Sequence, residues 1–448
     1  MMIPITKSRK NRLKRGFRLF SHQTIVSAAD LLYNDKKEKE KSLMATIHSK
    51  EYLDKQMALT DPDYVMFIPD QLEWESDNVH LYVVEHEKYG GLLAFWTQST
   101  FEGTGNNHLV MAGSRDGGTT WSKPKFIVGS HAMTREDAKK EAQASWGFPI
   151  VTVSGRIYLF YYREVLGVID NSRQLTGIFA AMYSDDCGET WSESADIGQR
   201  LTPYDGDEYI QDDIVYELPI RGPNGKYLAG FTKYVSRKIP EENRGGCRVY
   251  FYQFDNIDDD PEIKDLKITT LPDDDKGIHV YLPSGEIGRI EEPAWVILPD
   301  GRIFCSMRTN LGTVYYSVSS DGGHTWAPPR TLYFDDMTPF VHSLSPCPIY
   351  DLGDGRYMQL YHGVCNPQTP YWPRNPLHCA IGYFDQNHVQ PIRFKKEDSK
   401  LYMQFGEDAD GFGTHLQFAV YGTMTHQNGK NILWYPDRKF FLLGKDIK

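Results

Sequence analysis

From Phe148 the chain reads FPIVTVSGRIYLFYYR, and the same order of apolar and turn-forming residues returns three more times. The copies are LPIRGPNGKYLAGFTK from Leu218, EPAWVILPDGRIFCSMR from Glu292 and CPIYDLGDGRYMQLYH from Cys347. Each is a Pro, a short apolar run, a Gly turn and a second apolar run, which is the pattern of a β-hairpin. A looser copy, HLYVVEHEKYGGLLAFWTQ, starts at His80.

A second repeat runs out of phase with the first. SRDGGTTW (Ser114 to Trp121), SDDCGETW (Ser184 to Trp191) and SSDGGHTW (Ser319 to Trp326) share the form S-x-D-x-G-x-T-W. Such a segment predicts a tight turn between two strands. Ser and Asp side chains take up turn N–H groups, Gly supplies positive φ, and Trp is buried beneath the turn. These are structural staples and carry no catalytic role. The first two boxes start 70 residues apart and the next follows after 135, close to twice that step. Degenerate units are expected at FYQFDNIDDDPE (Phe251 to Glu262) and YFDQNHVQ (Tyr383 to Gln390).

Hairpin plus box turn makes four strands in about 70 residues, and such units arranged radially make a β-propeller. Five units are countable. DYVMFIP near Tyr64, with LQFAVYG and NILWYP near the C-terminus, completes a sixth that hides its edges by joining both ends of the chain. The expectation is an all-β, six-bladed β-propeller of four-stranded antiparallel blades over residues 46–448, with seven blades as the alternative count. Residues 1–45 form a charged arm, with Lys7, Arg9, Lys10, Arg12, Lys14, Arg15 and Arg18 clustered in it.

Composition narrows the function. A net charge of -11 argues against a dedicated nucleic-acid binder. No run is long and apolar enough to span a membrane, and the stretch after the basic residues lacks the apolar core of a signal peptide. A cytoplasmic location is the resulting expectation. The 6 cysteines are scattered without a C-x-x-C pair, so neither metal nor cofactor is expected.

Counting seven or eight residues past each hairpin Gly aligns Gln98, Tyr162 with Arg163, Thr232 with Lys233, Arg308, and His362. Apolar strands thus end in polar or cationic residues in five blades, predicting a shared rim at one end of the axis. Arg163, Lys233, Arg308 and His362 would make that rim electropositive and suited to an anionic sugar. Glycoside hydrolysis normally needs two carboxyl groups. Candidates are Glu291 and Glu292, with Arg308 across the hairpin; Glu102 in the loop STFEGTGNN; and Asp212 and Asp213 in YIQDDIVYELP. Glu102 and Glu292 are favoured because both flank rim positions.

The boxes and the segment EPAWVILPDGRIFCSMRTNLGTVYYSVSSDGGHTW resemble the sialidase superfamily, from about Asp61 to the C-terminus. The resemblance implies a six-bladed propeller with an axial site. It also implies an arginine triad for the sialate carboxylate, a Tyr nucleophile activated by a Glu, and a loop Asp as acid/base. By position Glu292 matches the Glu and Arg308 the second arginine, while Arg374 in YWPRNP could stand for the third. Elsewhere the match fails. FIPD at Phe67 lacks the first arginine, Gln98 and Glu102 stand where an arginine and an acid belong, and the stretch from Phe405 through His415 and Gln417 shows no clear nucleophile.

An incomplete clamp loses charge-assisted bonds to a carboxylate, which argues against sialidase activity itself. The leading reading is an exo-acting glycoside hydrolase on a non-sialic, anionic sugar. Glu102 is then the acid and Glu292 the base or nucleophile, assisted by Arg308. Gln98, Arg163, Lys233, Asp213, His362 and Arg374 would bind substrate, and Trp146 or Tyr361 would stack on it. Three alternatives stand beside it: a polysaccharide lyase using His362, Tyr162 and Arg163; a sialidase; and a non-catalytic glycan-binding propeller.

Overall fold

The computed structural model describes residues 49–70, 72–100, 105–166, 177–205, 213–236, 239, 246–413, 416–427 and 429–447. The charged arm, Glu102, Asp212 and His415 lie outside the described residues.

Strand pairing follows the hairpin and box repeats. Blade 1 is Asp77–His86, Gly91–Ser99, His108–Ser114 and Lys125–Gly129. Blade 2 is Ala144–Val151, Ile157–Arg163, Ile178–Ser184 and Ala195–Asp196. In blade 3 the innermost strand is interrupted, as Asp213–Val215 and Ile220–Arg221 both pair with Tyr227–Lys233; Arg248–Phe254 and Ile268–Leu271 follow. Blade 4 is Ile290–Ile297, Ile303–Thr309, Tyr315–Ser319 and Arg330–Thr331. Blade 5 is Ile349–Asp351, Arg356–Tyr361, Leu377–Phe384 and Ile392–Met403. Blade 6 is Thr423–Gln427, Lys430–Asp437 and Phe441–Ile447, completed by Tyr64–Phe67 from the other end of the chain. The two degenerate units do join third to fourth strands, in blades 3 and 5.

The core closes this arrangement into a circle. Six apolar clusters lie one at each junction: blades 1 and 2, 2 and 3, 3 and 4, 4 and 5, 5 and 6, and 6 and 1. Each strand alternates its side chains, so each sheet buries both faces against its neighbours. The fold is a six-bladed β-propeller.

The box turns add a contact that the motif alone does not reveal. Ser319 Oγ accepts from Gly323 N at 2.9 Å and donates to Asp321, while Asp321 accepts from Thr325 N at 2.9 Å. The other two boxes repeat this network. Each box Trp then packs on the preceding blade: Trp121 on Trp434, Trp191 on Phe95, and Trp326 on Phe251 with centroids 5.0 Å apart. The boxes therefore fasten blade to blade: the tryptophans are half-buried at the junctions, and Trp121 and Trp326 also donate Nε1–H to Gly118 O and Gly323 O of their own turns, each at 3.0 Å.

Candidate active site

Three innermost strands break register at the same place. The pairing slips between Val79 and Tyr82, between Ser145 and Phe148, and between Glu291 and Ala294. Within these bulges His80, Trp146 and Glu292 adopt left-handed backbone, with φ of 53°, 58° and 52°. Such a conformation costs a non-glycine residue roughly 1–2 kcal/mol, so the surroundings must impose it. One imposed contact recurs. The Trp146 N–H donates to Thr97 Oγ1 at 2.9 Å, and the Glu292 N–H donates to Thr232 Oγ1 at 2.8 Å. Both threonines sit on the second strand of the preceding blade.

The bulges aim their side chains at the axis, where aromatic rings close in. His80 lies 4.6 Å from Trp146, 5.3 Å from Tyr216 and 4.9 Å from Tyr421, and Tyr216 lies 5.6 Å from Tyr421, all between ring centroids. Tyr421 then reaches blade 4: its hydroxyl donates to Glu292 Oε1 at 3.0 Å. Arg308 Nη1 approaches the same oxygen at 2.9 Å, and Glu292 Oε2 has no hydrogen-bond partner among the described residues.

Glu291 and Glu292 are adjacent carboxylates in opposite states. Burial pushes Glu292 up, against the pull of Arg308 and with help from Glu291, to about 7. Burial also acts to raise Glu291, but the Arg308 and Arg289 guanidiniums overcome it and hold that carboxyl at about 2. Glu291 accepts from Arg308 Nε at 3.0 Å and from Arg289 Nε at 2.6 Å, and Cys247 Sγ donates to it at 3.2 Å. Environments that push two carboxyls apart assign them different tasks. Glu291 is a fixed anion orienting two arginines; Glu292 can exchange a proton near neutrality.

Arg374 completes the positive side. Its Nε, Nη1 and Nη2 donate to Tyr371 O, Gln417 Oε1 and Leu344 O, each at 3.1 Å. It is close enough to lower the Glu292 carboxyl. Arg289 lies 5.9 Å from the Tyr371 ring, which joins the two arginines at the same mouth.

The remaining predicted rim residues do not join this cluster. Gln98 is buried, donating to Asn78 Oδ1 at 2.9 Å and contacting His108 at 3.2 Å. Arg163 turns outward to Asp196 at 2.7 Å, because its place on the second strand faces the outer strand of its own blade. Lys233 is buried between Asp205 at 2.6 Å and Asp213 at 2.7 Å, so its charge is spent inside blade 3, and Tyr252 also donates to Asp213. His362 is buried against His342, with rings 5.0 Å apart, and burial with that neighbour holds it well below its usual pKa and neutral. Tyr361 bonds Ser399 and packs on Phe340 in the junction of blades 4 and 5. Trp146 does reach the axis. An electropositive ring built from the second strands is therefore corrected: Arg308 alone of those four projects to the axial cluster, and Arg289 and Arg374 supply the further charge. The lyase set fares no better, since Tyr162 is buried in the junction of blades 2 and 3 while Arg163 and His362 engage their own blades.

Arg289, Tyr216 and Tyr421 were missed, and a sequence signal existed for the tyrosines. The hairpin glycines Gly155, Gly225 and Gly301 have φ between 79° and 86°. Counting nine residues back from each gives Trp146, Tyr216 and Glu292, and eight back from Gly429 gives Tyr421. Alignment on the first strand finds the axis, whereas alignment on the second strand found the blade interiors. Among the described residues no group of three His, Cys, Asp or Glu could hold a metal ion, and no helix is long and apolar enough to cross a membrane.

The fold matches solved structures at low identity. The leech intramolecular trans-sialidase aligns with TM-score 0.59 at 12% identity, covering 90% of this chain and 72% of that one. The intramolecular trans-sialidase from Ruminococcus gnavus aligns with TM-score 0.58 at 13% identity, covering 88% and 98%. A protein of unknown function from Dyadobacter fermentans aligns with TM-score 0.52 at 13% identity, covering 86% and 96%. No curated protein matches the sequence. The BNR repeat-like domain matches residues 90–393, more than half of the chain and spanning all three boxes. By its boxes, its six blades and that match, the chain belongs to the BNR repeat-like domain family.

Proposed function

We propose that the protein is an exo-acting glycoside hydrolase on a non-sialic sugar that carries a negative charge. The observation that carries this reading is the Tyr421 hydroxyl donating to Glu292 at 3.0 Å, with Arg308 on the same carboxylate oxygen. A phenol beside a carboxylate that titrates near neutrality is an activated nucleophile and its base. In the first step the Tyr421 oxygen bonds the anomeric carbon, its proton passes to Glu292, and the bond to the departing oxygen breaks. An acid protonates that oxygen, and Glu102 is the proposed acid. Water then attacks the anomeric carbon and gives its proton to the Glu102 carboxylate, while the bond to Tyr421 breaks and Glu292 returns the proton to the tyrosine oxygen. Glu292 thus serves as base, and the nucleophile is the tyrosine rather than a second carboxylate.

Rings below Glu292 close the axis, which favours a pocket for chain ends over a groove for internal bonds. Arg289, Arg308 and Arg374 against Glu291 and Glu292 leave positive charge for an anionic group. Gln98, which stands where the resemblance expects an arginine, is committed to Asn78 and His108, and this favours a non-sialic acid sugar. The test is turnover of a panel of aryl glycosides: glucuronides, iduronides, galacturonides, sulfated and neutral hexosides, and sialosides. Release of the aryl group from uronides or sulfated sugars, without ultraviolet-absorbing unsaturated product, supports the reading. Release from sialosides alone overturns the specificity, and release with an unsaturated product overturns hydrolysis.

A further inference from the structure

The axial rings separate the Arg308 end from a second space at the box end. In blade 4, Glu291 pairs with Arg308 at one end of the sheet, while Ile297 pairs with Ile303 and Ile303 with the box Ser319 at the other. A well of about 230 Å³ opens at that box end, walled by Ile220, Val296, Ile349, Met424 and the rings of Trp295 and Tyr350. Glu217 lines it, one residue beyond the axial Tyr216, and Asp351 and His426 stand exposed at its mouth.

Glu217 is half-buried in the gap of the interrupted strand, between apolar walls, and among the described residues it has no hydrogen bond and no ion pair. Trp295, 5% exposed, also lines the well, and its Nε1 has no partner among the described residues. A carboxyl group among apolar side chains without a partner is costly. The fully buried carboxyls Glu291, Glu292 and Asp213 are matched: Glu291 by two arginines, Glu292 by Arg308 and Tyr421, Asp213 by Lys233 and Tyr252. The exception lies where a cavity exists to supply the missing group from outside.

We propose that this well is a binding site for a small organic ammonium ion, held by Glu217. A carboxylate gives the cation a charge-assisted bond, the Tyr350 and Trp295 rings offer cation–π contact, and the aliphatic walls take a short alkyl body. The volume is below the roughly 300–1,000 Å³ of sites for drug-sized ligands, so the ligand is small. The site lies across the axial rings from Glu292 and needs no glycan.

Burial, with Glu292 beyond the rings, holds the Glu217 carboxyl well above its usual range. The other titratable groups facing it are Tyr82, Tyr350 and Cys347, with Asp351 and His426 at the mouth. Binding the cation therefore releases the Glu217 proton to solvent.

The test is isothermal titration calorimetry of the full chain with n-butylammonium and with tetramethylammonium, in two buffers of different ionisation heat, with potassium chloride as control. The expected result is saturable one-to-one binding with proton release, weakened at least tenfold by Glu217→Gln and by Met424→Phe, which fills the well and leaves the carboxyl in place. Thermal melts matching the parent show that both variants fold. Absence of saturable heat, an unchanged affinity in Glu217→Gln, or an equal response to potassium overturns the proposal.

Discussion

Tyr421 of blade 6 donates its hydroxyl to Glu292 of blade 4, 3.0 Å across the propeller axis. Nothing in the local sequence joins these residues, which are 129 positions apart; closure of the six blades does. The bulge that turns Glu292 to positive φ points its carboxyl at the phenol, and Thr232 secures the bulge from the neighbouring blade.

Tyr421→Phe keeps the ring that packs on His80 and Tyr216 and removes only the hydroxyl. Turnover of the best aryl glycoside should fall on the order of 10³-fold or more, as when a nucleophile is deleted. Thermal unfolding should stay near that of the parent. Steady-state rates with a melting curve check both.

Glu292 acts only when deprotonated. Its carboxyl is raised to about 7 by burial, so kcat/KM should fall about tenfold per pH unit below that value and level off above it. Glu292→Gln should remove that limb and lower kcat by about 10²–10⁴-fold. A pH–rate profile of both proteins is the check.

Arg163 is half-exposed and paired with Asp196 on its own blade. Arg163→Ala should leave kcat and KM unchanged and alter stability by less than about 1 kcal/mol. A rise in KM for anionic substrates alone would return this residue to the site.

Lys233 neutralises Asp205 and Asp213 inside blade 3. Lys233→Met leaves two buried carboxyls without their cation and should cost about 3–5 kcal/mol at pH 8. Burial already lifts Asp213 to about 6, and losing Lys233 lifts it further. Its folded pKa then lies above the unfolded one, so protonation favours the folded state. The loss should therefore shrink as pH falls from 8 toward 6, where the variant's Asp213 protonates before the parent's. Urea unfolding at several pH values measures it.

Ser319→Ala removes the acceptor for the Gly323 N–H in the blade 4 box. A buried donor without a partner costs about 1–3 kcal/mol. Loss of stability with unchanged kcat in the folded protein fits a staple; a change in kcat would not.

The architecture was legible because its signals are local and repeated: hairpin glycines, box turns and the spacing of both. The pairing of Glu292 with Arg308 was legible for the same reason, being a cross-strand contact within one hairpin. The Tyr421 partner was not, because it depends on which residue each blade turns to the axis. That depends on a backbone bulge, and a bulge leaves no composition of its own: His80, Trp146 and Glu292 share a conformation but no chemistry. Polar strand ends misled in the other direction. Lys233 and His362 look like rim residues in sequence, yet each serves a buried network within its blade.

The most direct test of the account is to trap the glycosyl enzyme. The 2-deoxy-2-fluoro glycosyl fluoride of whichever aryl glycoside is hydrolysed should inactivate the protein with one sugar per chain, and peptide mass spectrometry should place that sugar on Tyr421. A sugar found on Glu292, or turnover of the reagent with no covalent adduct, would contradict it.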